Sequence, residues 1–207
     1  MVNLSLLAGE LMKTPTRQRL IYAAVRRFYR DGFRNVGIDQ VLADVGISKT
    51  AFYKHFECKE DLMLAALEDQ NRWLQETFRA LLQERGGQTP LGQLHALLDV
   101  VENIVESDEY QGCIFVNVAM EFPLAHEPAH VAAAQNKQAI EDIVYCIAKE
   151  AGALEPRLLA KELCLIMEGA YVTRHVTGNK QTVDIARRVA GLVIASGCPR
   201  KSVDCAT

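Results

Sequence analysis

The segment GFRNVGIDQVLADVGISKTAFYKHFECKEDL, residues 32 to 62, constrains the fold of this chain more than any other stretch. Four apolar residues in it have the spacing of one face of a short helix: Ile38, Val41, Leu42 and Val45. Gly46 follows, where a left-handed residue can end a helix, and Ser48 is a favourable N-cap for the next one. The pattern predicts two short helices joined by a tight turn, a helix-turn-helix.

The second of these helices is predicted to run from Lys49 to His55, with Phe52 and Phe56 pointing inward. Its outward residues are cationic, hydroxyl-bearing or small: Lys49, Thr50, Ala51, Tyr53, Lys54 and His55. Cations and hydroxyls suit contacts with phosphate, and small side chains can reach base edges. An ordinary helical hairpin with a solvated basic face is the alternative interpretation of this pattern taken alone.

The charge distribution favours a nucleic-acid interface over that alternative. Residues 1–60 hold ten Lys and Arg against six Asp and Glu, a net charge of +4, whereas the whole chain carries −3. Residues 61–207 therefore carry −7. A basic N-terminal part on an acidic remainder is typical of a protein that meets a polyanion at one end.

The ordered run from Gly32-Phe33 through GISKTAFYKHF to KEDL resembles the DNA-binding domain of the tetracycline-repressor (TetR) family of transcriptional regulators. The resemblance covers roughly residues 16 to 62. It implies that Tyr53 and Lys54 touch backbone phosphate, that Thr50 approaches the bases, and that Lys59 binds phosphate at the start of the next helix. With Ser48, the residues expected to bind DNA are Ser48, Lys49, Thr50, Ala51, Tyr53, Lys54, His55 and Lys59.

Three positions depart from the family pattern. Many relatives carry Thr or Ser where this chain has Val36 and Gly37, and they usually have Ser where this chain has Cys58. Cys58 would lie at a helix N-terminus beside Lys59, which favours a reactive thiolate, although a merely weak cap is the simpler interpretation. Regulation by oxidation of this thiol, or by a protein partner, is therefore an alternative to regulation by a small molecule.

The rest of the chain is predicted to be helical, because no strand-like alternation occurs anywhere. The expected fold is all-α, with a three-helix helix-turn-helix domain followed by a six-helix domain for ligand binding and dimerisation. The predicted helices span residues 16–29, 38–45, 49–55, 59–84, 90–105, 111–122, 128–150, 156–176 and 182–196. The predicted divisions are an N-terminal arm (1–15), the DNA-binding domain (16–58), the effector and dimerisation domain (59–197) and a C-terminal tail (198–207).

The last two helices carry apolar residues that suit either the internal core or half of a four-helix bundle between two subunits. These residues are Leu159, Leu163, Ile166, Met167 and Ala170, then Ile185, Ala186, Val189, Ala190 and Val193. The resemblance favours a homodimer formed through these helices. Two DNA-binding helices can then reach half-sites of a double-stranded operator roughly 34 Å apart.

The resemblance also implies a small-molecule effector that releases DNA, bound within the helical body. Mostly neutral candidate lining residues suggest an apolar or aromatic ligand. They are Trp73, Leu97, Val101, Cys113, Val116, Asn117, Met120, Ile143, Ile147, Met167, Tyr171 and His175.

Other classes of function lack a supporting pattern. No nucleotide-binding, hydrolase or zinc-protease motif is present, so an all-α enzyme is the weakest alternative and no cofactor is expected. His126 and His130 flank Pro128, which interrupts their helical spacing, so no metal site is predicted. No apolar run approaches the ~20 residues of a membrane span and the N-terminal stretch lacks a signal-peptide pattern, so we expect a cytoplasmic protein. Cys146 and Cys164 lie in apolar helical segments and are expected to be buried.

Overall fold

The computed structural model of the chain describes residues 14–107 and 110–199, and every regular element in those ranges is an α-helix. The helices are α1 (Thr16–Asp31), α2 (Ile38–Val45), α3 (Lys49–Phe52), α4 (Lys59–Gly86), α5 (Pro90–Val105), α6 (Ile114–Glu121), α7 (Pro128–Glu150), α8 (Pro156–Thr177) and α9 (Thr182–Gly197). This confirms the predicted all-α fold. Most of the predicted N-terminal arm and C-terminal tail lies outside the described residues.

Helices α1 to α3 form a small core around aromatic side chains. The rings of Phe28 and Phe33 stack with centroids 5.0 Å apart, and Phe52 and Phe56 are 0% and 2% exposed. Val41, Leu42 and Val45 of α2 are buried as predicted. Because phenylalanine rings bury a large apolar area, these four anchor the three helices to one another.

Two helices are shorter in the structure than the sequence predicts. The helix predicted to end at His55 ends at Phe52, since the His55 amide bonds to the Phe52 carbonyl three residues back and tightens the chain into a turn. The helix predicted from Gln111 begins at Ile114. The backbone of residues 111 and 112 bonds instead to a side chain of α1, as described below.

The described residues divide into two compact units, each with its own core. Among the described residues, unit 1 comprises residues 14–77 and 110–138, and unit 2 comprises residues 78–107 and 139–199. Helices α4 and α7 therefore contribute to both units. Unit 1 includes α6 and the start of α7 in addition to the three N-terminal helices, so it is larger than the domain predicted at residues 16–58.

Within unit 1, α6 is hydrogen-bonded to α1 and its following turn at both ends. At its N-terminal end, the Tyr29 hydroxyl donates to the Gly112 carbonyl over 2.9 Å and accepts from the Gln111 amide over 2.8 Å. At its C-terminal end, the Glu121 carboxylate accepts from the amides of Phe33 and Arg34 over 3.0 and 2.8 Å. These bonds fix the turn that leads from α1 into α2.

In unit 2, helices α5, α8 and α9 pack against one another. Their buried residues include Leu94, Leu97 and Val101 of α5, Leu163 and Met167 of α8, and Ala186, Ala190 and Ile194 of α9. Arg187 of α9 also pairs with Asp99 and Glu102 of α5, at 3.1 and 2.7 Å. The three helices thus share one apolar core with an ion-pair network at its edge.

The close approach of the end of α4 to the start of α5 depends on two glycines. A Cβ added at Gly92 would lie 2.3 Å from the Gly86 carbonyl oxygen, and one added at Gly86 would lie 2.5 Å from the Gln93 Cα. Both distances are far inside van der Waals contact with backbone atoms, which cannot move without displacing a helix.

We therefore expect Gly92→Ala to lower the free energy of unfolding by about 1–3 kcal/mol through overpacking. The matched control is Gly191→Ala in α9, where an added Cβ meets nothing within 4 Å. That change should leave stability unchanged or raise it by up to about 1 kcal/mol through helix propensity. Thermal unfolding followed by circular dichroism measures both, and equal melting temperatures for the two variants would contradict this close approach.

Candidate nucleic-acid interface

The turn between α2 and α3 is built as the sequence predicts. Gly46 adopts the left-handed conformation and its amide bonds to the Leu42 carbonyl over 2.8 Å. The Ser48 hydroxyl then caps α3 by accepting from the Ala51 amide over 3.2 Å. The Arg19 guanidinium donates to the Val45 carbonyl at the end of α2. These bonds supply partners to backbone groups that the ends of α2 and α3 would otherwise leave without one. The turn into α3 is therefore more rigid.

Most residues before and between the two buried phenylalanines, Phe52 and Phe56, point outward. Thr50, Tyr53, Lys54 and His55 are exposed, and Tyr53 retains 59% of its surface. Ser48 and Lys49 are exposed as well, whereas Ala51 is half-buried. We call these residues the recognition edge: Ser48, Lys49, Thr50, Ala51, Tyr53, Lys54 and His55. The edge combines two ammonium groups, an imidazole and three hydroxyls on one side of unit 1.

Part of the positive charge of α1 is neutralised inside unit 1. The Arg27 guanidinium holds both carboxylate oxygens of Asp44 at 2.6 Å and so joins α1 to α2. Arg30 pairs with Asp31 over 2.8 Å, which is the main reason that the pKa of Asp31 falls to about 2. The hydrogen bond from Arg27 likewise lowers the pKa of Asp44. Arg27 thus joins α1 to α2 within the head (residues 16–56), whereas Arg30 pairs with its own neighbour on α1. The net charge of +4 already includes both pairs, so the charge free to meet a polyanion comes from other cations.

Lys49 of the recognition edge pairs with an acid from α2. Its Nζ lies 3.0 Å from Asp39 Oδ1, and the two side chains are 63% and 73% exposed. The hydrogen bond to Asp39 raises the pKa of Lys49 above its ordinary value. Asp39 also stands in the first turn of α2, where a carboxylate interacts favourably with the helix dipole. A negative charge therefore lies within the positive surface.

The side chain of Lys59, at the start of α4, is more buried than most of the recognition edge. Its side chain is half-buried, its Nζ donates to the Arg34 carbonyl over 3.4 Å, and it lies 6.0 Å from the centroid of the Phe28 ring. The lysine is thus held across the turn that follows α1. Its contact with phosphate stays a prediction.

The positions that depart from the family pattern have distinct surroundings. Val36 is 1% exposed, so it belongs to the core and offers nothing to a ligand. Gly37 has no side chain to cap α2, but its own amide donates to the Gln40 side chain over 2.8 Å. The Cys58 sulfur accepts from the Asp61 amide over 3.4 Å and so takes the place of a hydroxyl cap for α4. Cys58 is exposed.

The expectation that Cys146 and Cys164 are buried is wrong. Cys146 is exposed and Cys164 is half-buried. Apolar neighbours in the sequence do not decide which side of a helix a given residue occupies, and Cys146 falls on the outer side of α7. Burial instead raises the pKa of the Cys198 thiol.

The twelve residues expected to line an effector site divide between the two units. Unit 2 contains Leu97, Val101, Ile143, Ile147 and Met167, all buried, together with half-buried Tyr171 and exposed His175. Unit 1 contains Trp73, Cys113, Val116, Asn117 and Met120. Met120 is 77% exposed, and the Asn117 amide donates to the Gln111 carbonyl over 3.1 Å. The effector assignment of all twelve stays a prediction.

Neither a cluster of metal ligands nor a helix able to span a membrane occurs among the described residues. In residues 14–107 and 110–199, no three His, Cys, Asp or Glu side chains gather closely enough to hold a metal ion. No helix in the same ranges has both the length and the apolar character that crossing a membrane requires.

Several structurally important residues were missed by sequence reasoning. Asp39 and Lys49 are ten positions apart and lie on different helices, so helical periodicity does not pair them. Glu121 reaches amides 87 and 88 residues earlier in the chain. The only signal for Asp39 was its place in the first turn of α2, which predicts a dipole interaction and not an ion pair.

Comparison with known proteins identifies the relatives of this architecture. Residues 20–66 match the family model "Bacterial regulatory proteins, tetR family", and residues 90–190 match "Tetracyclin repressor-like, C-terminal domain". The first match contains the whole recognition edge, and the second extends from the start of α5 into α9.

Individual relatives agree with both matches. The chain is 25% identical to the HTH-type transcriptional repressor DhaR of Mycobacterium sp. (strain GP1), a similarity that covers 84% of this chain and 89% of DhaR. It is 24% identical to the HTH-type transcriptional regulator YjdC of Escherichia coli (strain K12), over 84% of this chain and 91% of YjdC. The crystal structure of a TetR-family transcriptional regulator from Streptomyces coelicolor superposes with a TM-score of 0.77 at 25% identity, covering 88% of this chain and 96% of that one. The matched family consists of DNA-binding regulators and not of enzymes, and this chain belongs to it: it is a TetR-family transcriptional regulator.

Proposed function

We propose that this DNA-binding regulator is a homodimeric, cytoplasmic repressor that binds an inverted-repeat operator and is released by a small apolar or aromatic effector. The observation that carries the proposal is the recognition edge. Its exposed lysines and hydroxyls project from a short helix that is fixed by the burial of Phe52 and Phe56. The name of DhaR, a transcriptional repressor, supports repression as the direction of control.

The edge suits two kinds of contact with duplex DNA. Tyr53 and Lys54 are exposed at the end of α3, where a hydroxyl and an ammonium group can meet backbone phosphate. Thr50, near the N-terminal end of α3, has a side chain short enough to reach a base edge or a thymine methyl group. The first contact gives affinity and the second gives sequence preference.

The dimer is supported by mostly apolar residues on the outer faces of α8 and α9. On α8, outward positions recur with alternating spacings of four and three: Leu158, Glu162, Leu165, Gly169, Val172 and Val176. On α9, Ile185, Val189 and Leu192 follow the same spacing. Leu165 is 73%, Val176 74% and Leu192 68% exposed in the single chain. We call these nine residues the outer seam.

A second copy of the chain is the partner that fits the outer seam. The four-three spacing is the pattern with which helices pack side by side in coiled coils and four-helix bundles. A Cβ added at Gly169 would meet nothing within 4 Å, so this glycine leaves room for a close-packed neighbouring helix. Two α8 helices and two α9 helices related by a twofold axis would cover the seam in both copies.

The effector class rests on the lining residues proposed above. Five of the seven in unit 2 are buried aliphatic or thioether side chains, which favour an apolar ligand. Trp73 is the single tryptophan of the chain and is half-buried, so its fluorescence can report binding. A panel of aromatic and aliphatic compounds should change this fluorescence and, in the same concentration range, release DNA. If charged polar compounds alone gave both effects, the proposed effector class would be wrong.

Control through Cys58 is the second candidate, because the thiol is exposed at the head. Cys58→Ser supplies an oxygen cap in place of sulfur and removes the thiol. Under the proposal, this variant binds DNA and responds to effectors as the parent does. Loss of a peroxide response in Cys58→Ser alone would favour the thiol mechanism.

The roles within the recognition edge can be separated by substitution. Lys54→Ala should weaken binding to all duplexes alike and should reduce the slope of log K against log salt by about 1, because one phosphate contact is lost. Tyr53→Ala should likewise weaken binding without changing base preference. Fluorescence anisotropy at several salt concentrations measures both, with Lys161→Ala on α8 as the matched lysine control. An unchanged affinity for Lys54→Ala would remove the phosphate assignment.

Unlike Tyr53 and Lys54, Thr50 is expected to determine base preference and not overall affinity. Thr50→Val keeps the shape and one methyl group but loses the hydroxyl, so the preferred base at one position per half-site should change while affinity for unrelated DNA stays the same. Selection from a randomised duplex library measures this preference. Identical selected sequences for the parent and the variant would show that Thr50 does not read a base.

The dimer can be tested through the outer seam. Combining Leu165→Glu with Leu192→Glu should raise the dimer dissociation constant by on the order of a hundredfold or more, because each dimer would have to bury four carboxylates. Both leucines are exposed in the single chain, so the fold of each subunit should survive. Leu91→Glu, at an exposed leucine of α5, is the control. Sedimentation velocity that shows an unchanged dimer for the double variant would rule out this interface.

A further inference from the structure

We infer that Asp39 is a specificity-determining residue that restrains Lys49 by an ion pair and so limits binding to DNA of arbitrary sequence. This inference rests on the assignment of the recognition edge to DNA. It concerns a residue to which neither the family resemblance nor the proposed function gives a role.

The pair is a surface interaction and not part of the structural framework. Lys49 Nζ and Asp39 Oδ1 are 3.0 Å apart, and each side chain keeps well over half of its surface exposed to solvent. Exposed ion pairs of this kind contribute little to folding and exchange readily with other partners. The other interhelical ion pair of the head, between Arg27 and Asp44, has two 2.6 Å bonds and less exposed side chains. The head therefore does not need Asp39 to hold α2 against its neighbours.

The pair can affect DNA binding because of its position at the start of α3. Lys49 is the first residue of α3, directly after the Ser48 cap and beside Thr50. An ammonium group there would meet phosphate near the bases that Thr50 approaches. While Asp39 holds this group, its charge is compensated, and a duplex that offers only phosphate gains less from it.

The cost of keeping Lys49 on Asp39 differs between the two kinds of complex. On an arbitrary duplex no base contact fixes the register, so a free ammonium group could settle on a phosphate, but its transfer would leave the Asp39 carboxylate unpaired beside a polyanion, which is unfavourable. On the preferred site the remaining contacts of the edge fix the register and supply the affinity, so keeping Lys49 on Asp39 costs less there. Asp39 thus penalises non-specific complexes more than specific ones, which is a means of discriminating by repulsion.

The experiment compares Asp39→Asn with the parent chain on a selected palindromic duplex and on an unrelated duplex, at four or more salt concentrations. Asparagine keeps the shape of the side chain but removes its charge. We expect affinity for the unrelated duplex to rise roughly threefold to tenfold at low salt, and affinity for the selected duplex to rise less. The slope of log K against log salt on the unrelated duplex should become more negative by about 0.9, since one more cation is available to phosphate.

Two controls separate this mechanism from a general change of charge. Glu150→Gln, on α7 in unit 2, makes the same change of net charge at an exposed position and should leave both affinities unchanged. The second control repeats Asp39→Asn in a Lys49→Met background, where the change in salt slope should disappear. An equal effect of Asp39→Asn with and without Lys49 would show that Asp39 acts by itself, and the inference would be wrong.

A fall in affinity for the selected duplex in Asp39→Asn would also overturn the inference, because it would show that Asp39 supports the specific contact. Failure of this inference can be distinguished from failure of the proposed function. If the parent chain binds no duplex at low salt, the proposed function fails. If the parent binds and Asp39→Asn changes nothing, only the role of Asp39 is lost.

Discussion

The burial of Phe52 and Phe56 is the interaction on which the geometry of the recognition edge depends. The two rings are 0% and 2% exposed, with centroids 5.8 Å apart, and they lie four residues apart on one side of the chain. Since both must face the core, the residues between them are forced outward, and the chain tightens into a turn after Phe52. The chemistry of the recognition edge is therefore presented by an apolar anchor that itself takes no part in recognition.

A second set of interactions within unit 1 joins α6 to α1 and to the turn that precedes α2. The Glu121 carboxylate binds two successive amides at Phe33 and Arg34, and Tyr29 bridges the backbone at residues 111 and 112. The Arg34 side chain returns the interaction by donating to the Glu121 carbonyl and stacking 4.9 Å from the centroid of the Phe122 ring. Helix α6 and the turn before α2 are thereby joined by charged and neutral hydrogen bonds, which are directional and fix orientation more strictly than apolar packing does.

Local patterns in the sequence predicted the head well. The spacing of Val41, Leu42 and Val45, the left-handed Gly46 and the Ser48 cap are all set by interactions within a few residues, and the structure confirms each of them. Partners that lie far apart in the sequence cannot be predicted in this way. Asp39 with Lys49, and Glu121 with the Phe33 and Arg34 amides, meet only after the chain has folded, so no periodicity in the sequence can reveal them. The last two helices show the same limit. They are apolar on two sides, and the residues predicted as alternatives, such as Leu163 and Ala190, form the inner core while Leu165 and Leu192 form the outer seam.

The proposed function requires that two copies of the basic head grip one duplex at a spacing set by the dimer. The most direct measurement varies the separation of two selected half-sites in a labelled duplex and follows affinity by fluorescence anisotropy at fixed salt. A rigid pair of heads predicts the tightest binding at a centre-to-centre separation of roughly 34 Å, and a strong loss when about five base pairs, half a helical turn, are inserted. Affinity that does not depend on half-site separation, or that equals the affinity for a single half-site, would contradict the account.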